Sequence, residues 1–171
     1  ALNKVGSFRV FDLKVLVVDS VAENVSFISA ALEKLETTPS SIPCASTSKA
    51  LSILESEKID CIILAWEASP LSGPVFSQKI KSQDRTQYLP LLIYSQHFND
   101  LDMELLKQIG IRDVLTVPFQ LEETTAVLER IIGQERDISD TEKSLRKCEQ
   151  LLKNADFNHC VQRLASLESA S

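Results

Sequence analysis

Five short apolar runs, alternating with stretches of amphipathic spacing, constrain the fold of this chain more than any other feature. The runs are Lys14–Val18, Ser41–Ala45, Asp60–Leu64, Leu89–Tyr94 and Asp113–Thr116. Three of them are continuous stretches of Val, Ile and Leu, which is typical of strands buried on both faces of a parallel sheet. Alternating segments of this length predict an α/β fold, with a doubly wound five-stranded parallel sheet and right-handed crossovers.

The segments between these runs carry apolar residues at the spacing of amphipathic helices. The apolar positions of the five predicted helices are Val25, Ile28, Leu32 and Leu35; Ala50, Leu51 and Leu54; Val75, Phe76 and Ile80; Leu101, Leu105 and Ile109; and Leu121, Ala126, Val127, Ile131 and Ile132. Asn99 is placed to cap the fourth helix, because its side chain can accept from free backbone N–H groups. Gly110 is placed to end it, since glycine readily adopts the left-handed conformation found after helices.

Composition and charge exclude several classes of function. Of the 171 residues, 44 % are hydrophobic and 25 % charged, which is ordinary for a soluble globular protein. The net charge of −6, with Lys and Arg scattered, disfavours nucleic-acid binding, which needs clustered cations. No apolar run approaches the roughly 20 residues of a membrane span, and no secretory signal opens the chain. We therefore expect a cytoplasmic protein that contacts neither nucleic acid nor membrane.

We expect neither a metal nor an organic cofactor. The cysteines and histidines are Cys44, Cys61, Cys148, Cys160, His97 and His159. They show no C-x-x-C pair and no cysteine–histidine spacing typical of a metal site, so the cysteines are predicted to be reduced thiols in a reducing compartment. With 4 glycines in the chain, a glycine-rich nucleotide cradle is also disfavoured.

The pattern changes from about Gly133 onward. Ser139–Glu142 is a capping-box sequence, in which a hydroxyl and a carboxylate serve the exposed backbone donors reciprocally. Apolar residues then recur at helical spacing on both sides of an interruption at Ala155–Phe157; they are Leu145, Cys148, Leu151, Leu152, Cys160, Leu164 and Leu167. This predicts a helical hairpin, or one long helix with a break. Either must pack on the first domain, on itself or on a partner, because short helices are marginal alone. The predicted divisions are an N-terminal extension at 1–13, an α/β domain at 14–132 and a C-terminal helical extension at 133–171.

Four segments carry a resemblance to a known family, in the correct order and spacing. Lys14–Ser20, Asp60–Gly73, Pro90–Ser95 and Gly110–Phe119 resemble the receiver domain of bacterial response regulators. The resemblance covers about Lys14–Ile132, and it implies the flavodoxin-like receiver fold of two-component signalling. In an open parallel sheet the functional crevice lies beyond the carboxyl ends of the strands, where the resembling segments also end.

The resemblance assigns five positions of the family's phosphorylation pocket. Asp19 matches the first of two acids that follow the first strand, and Ser20 replaces the second. Ala65 stands where the family has its phosphoacceptor aspartate. Ser95 matches the Ser/Thr after the fourth strand, and Val117 replaces the lysine of a Lys-Pro pair. The resemblance therefore implies a degenerate pocket.

These replacements predict a domain with no catalytic residues. Magnesium needs carboxylate oxygens, and Asp19 alone makes a poor site. Ala65 has no oxygen to receive a phosphoryl group, and Val117 offers no positive charge to hold one. The leading hypothesis is a non-catalytic pseudo-receiver, a protein–protein interaction module that works without aspartyl phosphorylation. The alternatives are an unconventional receiver that uses Glu67 or Ser69 as acceptor, and a sensor whose crevice binds a small ligand.

Several residues near the site also have structural interpretations. Asp19 can cap the following helix, and Ser95 can bond the backbone of its own loop. The resemblance implies that Pro118 keeps the cis peptide bond of the family. Trp66 either fills the volume vacated beside it or presents an aromatic anchor to a partner, and the first of these interpretations is favoured.

Partner contacts are predicted on two parts of the chain. Val114 stands where the family often has a switching aromatic, and it is a second candidate for a partner contact. In the family the usual partner surface combines the fourth helix, the fifth strand and the fifth helix, to which Leu101–Ile109 and Leu121–Ile132 contribute here. We expect protein partners in a signalling complex, or a homodimer through this face or the C-terminal helices. Residues 155–167 weakly resemble the middle of a tetratricopeptide repeat, so the extension could start a helical repeat region.

Overall fold

The computed structural model describes residues 13–137, with the backbone alone at 134–137, and the separate positions Leu145 and Cys148. The chain divides into two compact units, Ala1–Glu129 and Arg130–Ser171. The fold described below is that of the first unit. The predicted N-terminal extension lies almost entirely outside the described residues, as do most of the predicted helical hairpin and its resemblance to a repeat. Those divisions of the chain stay predictions.

Five parallel strands form one sheet in the order β2-β1-β3-β4-β5. They are β1 (Lys14–Val18), β2 (Ser40–Cys44), β3 (Cys61–Ala65), β4 (Leu91–Ser95) and β5 (Val114–Thr116). The doubly wound parallel sheet predicted from the sequence is therefore confirmed. The bounds of β1 agree with the prediction, and those of the other strands differ by one or two residues. In β3 the difference matters, because the strand continues through Ala65 and pairs that residue with Tyr94 of β4.

The central position of three strands explains their continuous apolar sequences. Every residue of β3 and β4 is buried, as are all residues of β1 after Lys14. Strand β2 lies at an edge of the sheet and contains Pro43, which is exposed. Proline cannot donate to a neighbouring strand, so it is tolerated at an edge and not in the middle of a sheet. The strands with continuous apolar sequences are therefore those in the centre of the sheet, and β2, which contains polar residues and a proline, lies at the edge.

Five helices alternate with the strands: α1 (Ala22–Glu33), α2 (Thr47–Ser56), α3 (Gly73–Ser82), α4 (Asp100–Ile109) and α5 (Leu121–Asp137). Asn99 caps α4 as predicted: its side chain accepts from the N–H of Asp102 at 2.8 Å, and its own N–H donates back to the Asp102 carboxylate at 3.0 Å. Gly110 ends α4 with a φ of 82°, also as predicted. Within the described part of the chain, none of the helices has the length and apolar character to cross a membrane.

The predicted apolar faces of α3 and α4 are wrong at two positions. Val75 is 49 % exposed and Leu101 is 78 % exposed. In α4 the fully buried residue is Leu106, which the predicted face did not include. At 3.6 residues per turn, Leu101 lies about 140° around the helix from Leu106, so both cannot face the sheet. In α3, consecutive residues lie about 100° apart around the helix axis. Val75 therefore points toward solvent when Phe76 is buried against the core.

The predicted face of α5 also needs correction. Thr124 and Leu128, four residues apart, are the buried positions near the start of this helix. Ala126 is exposed, and Leu121 is exposed as well. Positions four apart share a helix face, whereas a residue between them points elsewhere.

The cysteines agree with the prediction where the structure describes them. Cys44, Cys61 and Cys148 are buried, and none of the three forms a disulfide with another described residue. Among the described residues no group of three or more His, Cys, Asp or Glu side chains is arranged to hold a metal ion. Cys160 lies outside the described residues.

Candidate functional site

A cavity of about 240 Å³ opens where the C-terminal ends of β1, β3 and β4 meet. The residues that line it are Asp19, Ser20, Val21, Asn24, Ala65, Glu67, Tyr94, Ser95, Gln96 and Val117. All five positions predicted for the pocket lie in this lining. The neighbouring ends of parallel strands explain this, since residues far apart in sequence meet at the same edge of the sheet.

The carboxylate of Asp19 is buried and hydrogen-bonded on both oxygens. Its side chain follows β1 and the residue is 7 % exposed. Oδ1 accepts from the backbone N–H of Val21 at 2.9 Å. Oδ2 accepts from the side-chain amide of Asn24 at 2.8 Å and from the hydroxyl of Tyr94 at 2.6 Å. The expected capping role is present in part, because Val21 is the N-cap residue of α1.

Tyr94 enters the site from β4, and the sequence analysis missed it. The residue is 1 % exposed, and its ring meets the ring of Phe119 edge-on at 5.0 Å. Phe119 in turn stacks on Phe27 of α1 at 5.1 Å. The signal in the sequence is a single hydroxyl-bearing ring in an otherwise aliphatic run, since a buried tyrosine hydroxyl needs a polar partner. Asp19 supplies that partner.

The environment of Tyr94 keeps its hydroxyl protonated. Burial raises the pKa of this phenol far above its ordinary value, and the hydrogen bond to Asp19 raises it further. The negative charges of Asp19 and Glu67 act in the same direction on this pKa. The hydroxyl is therefore a permanent donor to Asp19 at neutral pH.

Ala65 and Val117 line the cavity with apolar side chains. Ala65 contributes a methyl group, and it pairs with Tyr94 across the β3–β4 register. Val117 contributes an apolar side chain after β5, and its peptide bond to Pro118 is cis, as predicted. None of the described residues that line the cavity is a lysine or an arginine.

Ser95 and Glu67 meet on the other side of the cavity. The Ser95 hydroxyl lies in hydrogen-bond contact with Oε1 of Glu67. It also contacts the carbonyl of His97 at 2.9 Å and accepts from the N–H of His97 at 3.1 Å, which is the predicted bond to its own loop. Glu67, which the sequence analysis names as a possible alternative acceptor, lines the cavity. Ser69 is not among the described lining residues, and its carbonyl accepts from the N–H of Thr47 at 3.0 Å.

Trp66 takes neither of its two predicted roles. Its ring is 8 % exposed and belongs to the main apolar core, so it offers no anchor at the surface. It meets the ring of Phe98 edge-on at 6.0 Å. Trp66 is also not among the described residues that line the cavity, so it does not fill the space beside Ala65. The ring leaves the strand on the side away from the site because side chains alternate across a sheet.

A second concave surface lies at α4 and β5 and includes Val114. This groove has a volume of about 440 Å³ and is lined by Met103, Leu106, Lys107, Gly110, Ile111, Arg112 and Val114. Val114 is half-buried at the start of β5 and packs against the core. The groove combines apolar side chains with two cations, and the exposed Leu101 lies on the same helix.

The fold and the crevice define a class of protein: a doubly wound α/β domain with its candidate site beyond the carboxyl ends of the strands. A model of the response regulator receiver domain matches residues 15–129. The chain therefore belongs to the response regulator receiver domain family. A comparison with curated protein sequences gave no match.

Solved structures of receivers from different organisms share this fold. The chemotaxis response regulator CheY4 of Vibrio cholerae is 22 % identical, with a TM-score of 0.63, over 70 % of this chain and 98 % of that one. The receiver domain of the sensor histidine kinase PA1611 of Pseudomonas aeruginosa, which holds magnesium in its active-site cleft, is 25 % identical with a TM-score of 0.62, over 71 % and 98 %. A CheY-like receiver of Methanospirillum hungatei is 10 % identical with a TM-score of 0.66, over 74 % and 98 %.

Proposed function

We propose that this receiver domain is non-catalytic and acts in the cytoplasm as a protein–protein interaction module of two-component signalling, independent of aspartyl phosphorylation. The observation that carries the proposal is Ala65, which lines the crevice at the end of β3. The family has its phosphoacceptor aspartate at this position. A methyl group has no oxygen with which to form an acyl phosphate.

The magnesium ion that the family implies fits this crevice poorly. Mg²⁺ takes near-octahedral oxygen coordination and usually includes one or two carboxylates. Here Ser20 replaces one acid and Ala65 another, and the remaining Asp19 already accepts three hydrogen bonds from the protein. The cation at the family's lysine position is also missing, because Val117 stands there. These features together support a domain without phosphotransfer chemistry.

Asp19 and Ser95, the two crevice residues that match the family, form hydrogen bonds within the protein that have a structural role. Asp19 bonds the start of α1, and Ser95 bonds the loop after β4. Both bonds hold the strand ends in place without a ligand. Their presence therefore supports a preserved architecture and carries no argument for preserved chemistry.

The groove at α4 and β5 supports an interaction role. It lies on the face that partners usually contact in this family. Leu101 is 78 % exposed on α4, and Lys107 and Arg112 border the groove. Large apolar side chains beside cations are the composition of many protein interfaces. A partner segment with apolar and acidic residues fits this surface.

The decisive experiment is intact-mass spectrometry of the purified chain after incubation with acetyl phosphate and magnesium. A receiver with an acceptor aspartate, treated in parallel, controls for the reagent. We expect no mass change in this chain and one phosphoryl group on the control. A stoichiometric adduct on this chain would contradict the proposal, and its loss in Glu67→Gln would identify the unconventional acceptor.

A second candidate function rests on the open volume of the crevice. The cavity of about 240 Å³ is large enough for a small polar ligand, and Ser20 and Gln96 add side chains that can donate hydrogen bonds. A thermal-shift screen with metabolites and nucleotides tests this function. A ligand that stabilises the wild-type chain but not Gln96→Ala would favour the sensor over the pure interaction module.

A further inference from the structure

The number of carboxylates in the crevice does not by itself exclude a divalent cation. Asp19 and Glu67 both line the cavity, and both act on the pKa of the Tyr94 hydroxyl, which they raise. Magnesium sites in proteins commonly use one or two carboxylates and complete the coordination with water. The cavity that Asp19 and Glu67 line has a volume of about 240 Å³, which is enough space for a hydrated cation. Another feature must decide whether Asp19 can bind a cation.

That feature is the occupation of Asp19 Oδ2. Two donors share this oxygen, the Tyr94 hydroxyl at 2.6 Å and the Asn24 amide at 2.8 Å. A cation that binds Oδ2 must displace at least one of them, because a hydrogen-bonded proton and a metal ion compete for the same lone pairs. The identity of the less mobile donor therefore sets the resistance to metal binding.

The two donors differ in how firmly they are held. Asn24 lies half-buried in the first turn of α1, where its side chain can turn toward solvent. Tyr94 is 1 % exposed, and its ring is fixed by Phe119, which is itself stacked on Phe27. These ring contacts restrain the Tyr94 ring and therefore the position of its hydroxyl oxygen. Tyr94 is the more firmly held of the two donors.

We propose that the Tyr94 hydroxyl closes Asp19 to divalent cations, so that one buried donor excludes metal from a crevice that still contains two carboxylates. This inference rests on the proposed function, since it gives a physical reason why a crevice with two carboxylates would not bind the metal ion that the family implies. The hydroxyl supplies an internal hydrogen bond where a cation would otherwise bind. Removing that single oxygen is therefore expected to create a metal site.

The test compares Mn²⁺ binding, by thermal unfolding and by isothermal titration, in the wild-type chain and three variants. Tyr94→Phe removes the hydroxyl and keeps the ring. Asn24→Ala is the matched control, because it removes the other donor to the same oxygen. The double variant Asp19→Asn with Tyr94→Phe shows whether any binding gained depends on Asp19. Circular dichroism checks each fold, and Tyr94→Leu replaces Tyr94→Phe if that variant does not fold.

We expect millimolar Mn²⁺ to leave the wild-type chain and Asn24→Ala unchanged. It should raise the Tm of Tyr94→Phe by roughly 3 °C or more, with at least about tenfold tighter binding than the wild type. The effect should vanish with EDTA and in the double variant. A folded Tyr94→Phe without this gain overturns the inference and leaves the proposed function intact. A gain in Asn24→Ala equal to that in Tyr94→Phe, or Mn²⁺ binding by the wild type as tight as that by Tyr94→Phe, also overturns it. Only a phosphoryl adduct on the wild-type chain would overturn the proposed function.

Discussion

Alanine at Gly73 is expected to destabilise the domain through a clash with the end of β3. Gly73 begins α3, and its N–H donates to the carbonyl of Trp66 at 3.0 Å. A Cβ at this position would lie 2.7 Å from the carbonyl oxygen of Trp66, 2.8 Å from its Cα and 2.9 Å from Cε3 of its ring. Ordinary contact begins at 3.4 Å, so the shortest distance is about 0.7 Å too small. Glycine is required at position 73 because the start of α3 lies too close to Trp66 for a side chain.

The size of the effect follows from the atoms involved. Overpacking in a core typically costs about 1–3 kcal/mol. Two of the three close atoms belong to the backbone of Trp66, which is also tied by its N–H to the carbonyl of Tyr94 at 2.8 Å. Relief therefore requires a shift of the strand end, since a side-chain rotation cannot provide it. The cost should therefore lie in the upper part of that range, at about 2–3 kcal/mol. A gain in helix propensity of at most about 1 kcal/mol leaves an expected net loss of about 1–2 kcal/mol in the free energy of unfolding.

Urea unfolding followed by circular dichroism measures this loss. Gly133→Ala in α5 is the matched control, because a Cβ there meets no atom of the described residues within 4 Å. The control should be neutral or stabilising by up to about 1 kcal/mol, since alanine favours helix over glycine. If Gly73→Ala unfolds at the same urea concentration as the wild type, the close approach of α3 to β3 is not as described.

Two further predictions concern the core and the site. Leu106→Ala should lower the free energy of unfolding by about 2–4 kcal/mol, because it leaves a cavity at a buried position. Leu101→Ala, on the exposed side of the same helix, should change it by less than about 0.5 kcal/mol. Equal effects of the two variants in urea unfolding would contradict the assigned face of α4. The pKa of Tyr94 is raised in the folded state above its ordinary value near 10, so the folded chain retains a proton that the unfolded chain loses at alkaline pH. Above about pH 10 the wild type should therefore lose stability relative to Tyr94→Phe, by up to about 1.4 kcal/mol per pH unit, and parallel pH profiles of the two proteins would refute this.

The strands and the position of the site could be predicted from the sequence because both depend on local pattern. Continuous apolar runs mark strands that are covered on both faces, and the ends of those strands carry the site residues. The bounds of β1 and the two ends of α4 were predicted correctly for this reason. Asn99 and Gly110 carry their structural role in their own chemistry, so no tertiary information was needed.

The helix faces could not be predicted as well, because a short helix with many leucines offers more than one apolar stripe. In α4 the spacing of Leu101, Leu105 and Ile109 is as regular as any stripe through Leu106. Packing against the rest of the domain buries the stripe through Leu106, and this selection depends on the neighbouring elements. Trp66 illustrates the same limit. Its orientation follows from the alternation of side chains along β3, once the strand is known to end at Ala65 and not before it.

The role of Tyr94 was missed because the sequence analysis compared only the pocket positions of this chain with those of the family. Such a comparison detects a replaced residue but not a new hydrogen bond from a residue at another position. Ala65 and Tyr94 are register partners on adjacent strands, and both line the crevice. An aspartate at position 65 would place another carboxylate near Asp19 and Glu67, where mutual repulsion favours a bound cation. With alanine there, the remaining charge on Asp19 can be satisfied by neutral donors, and the Tyr94 hydroxyl is one of them. Under the proposed function, Ala65 and the hydrogen bond from Tyr94 to Asp19 belong together, because this bond supplies the donor that we propose stands in place of a metal ion.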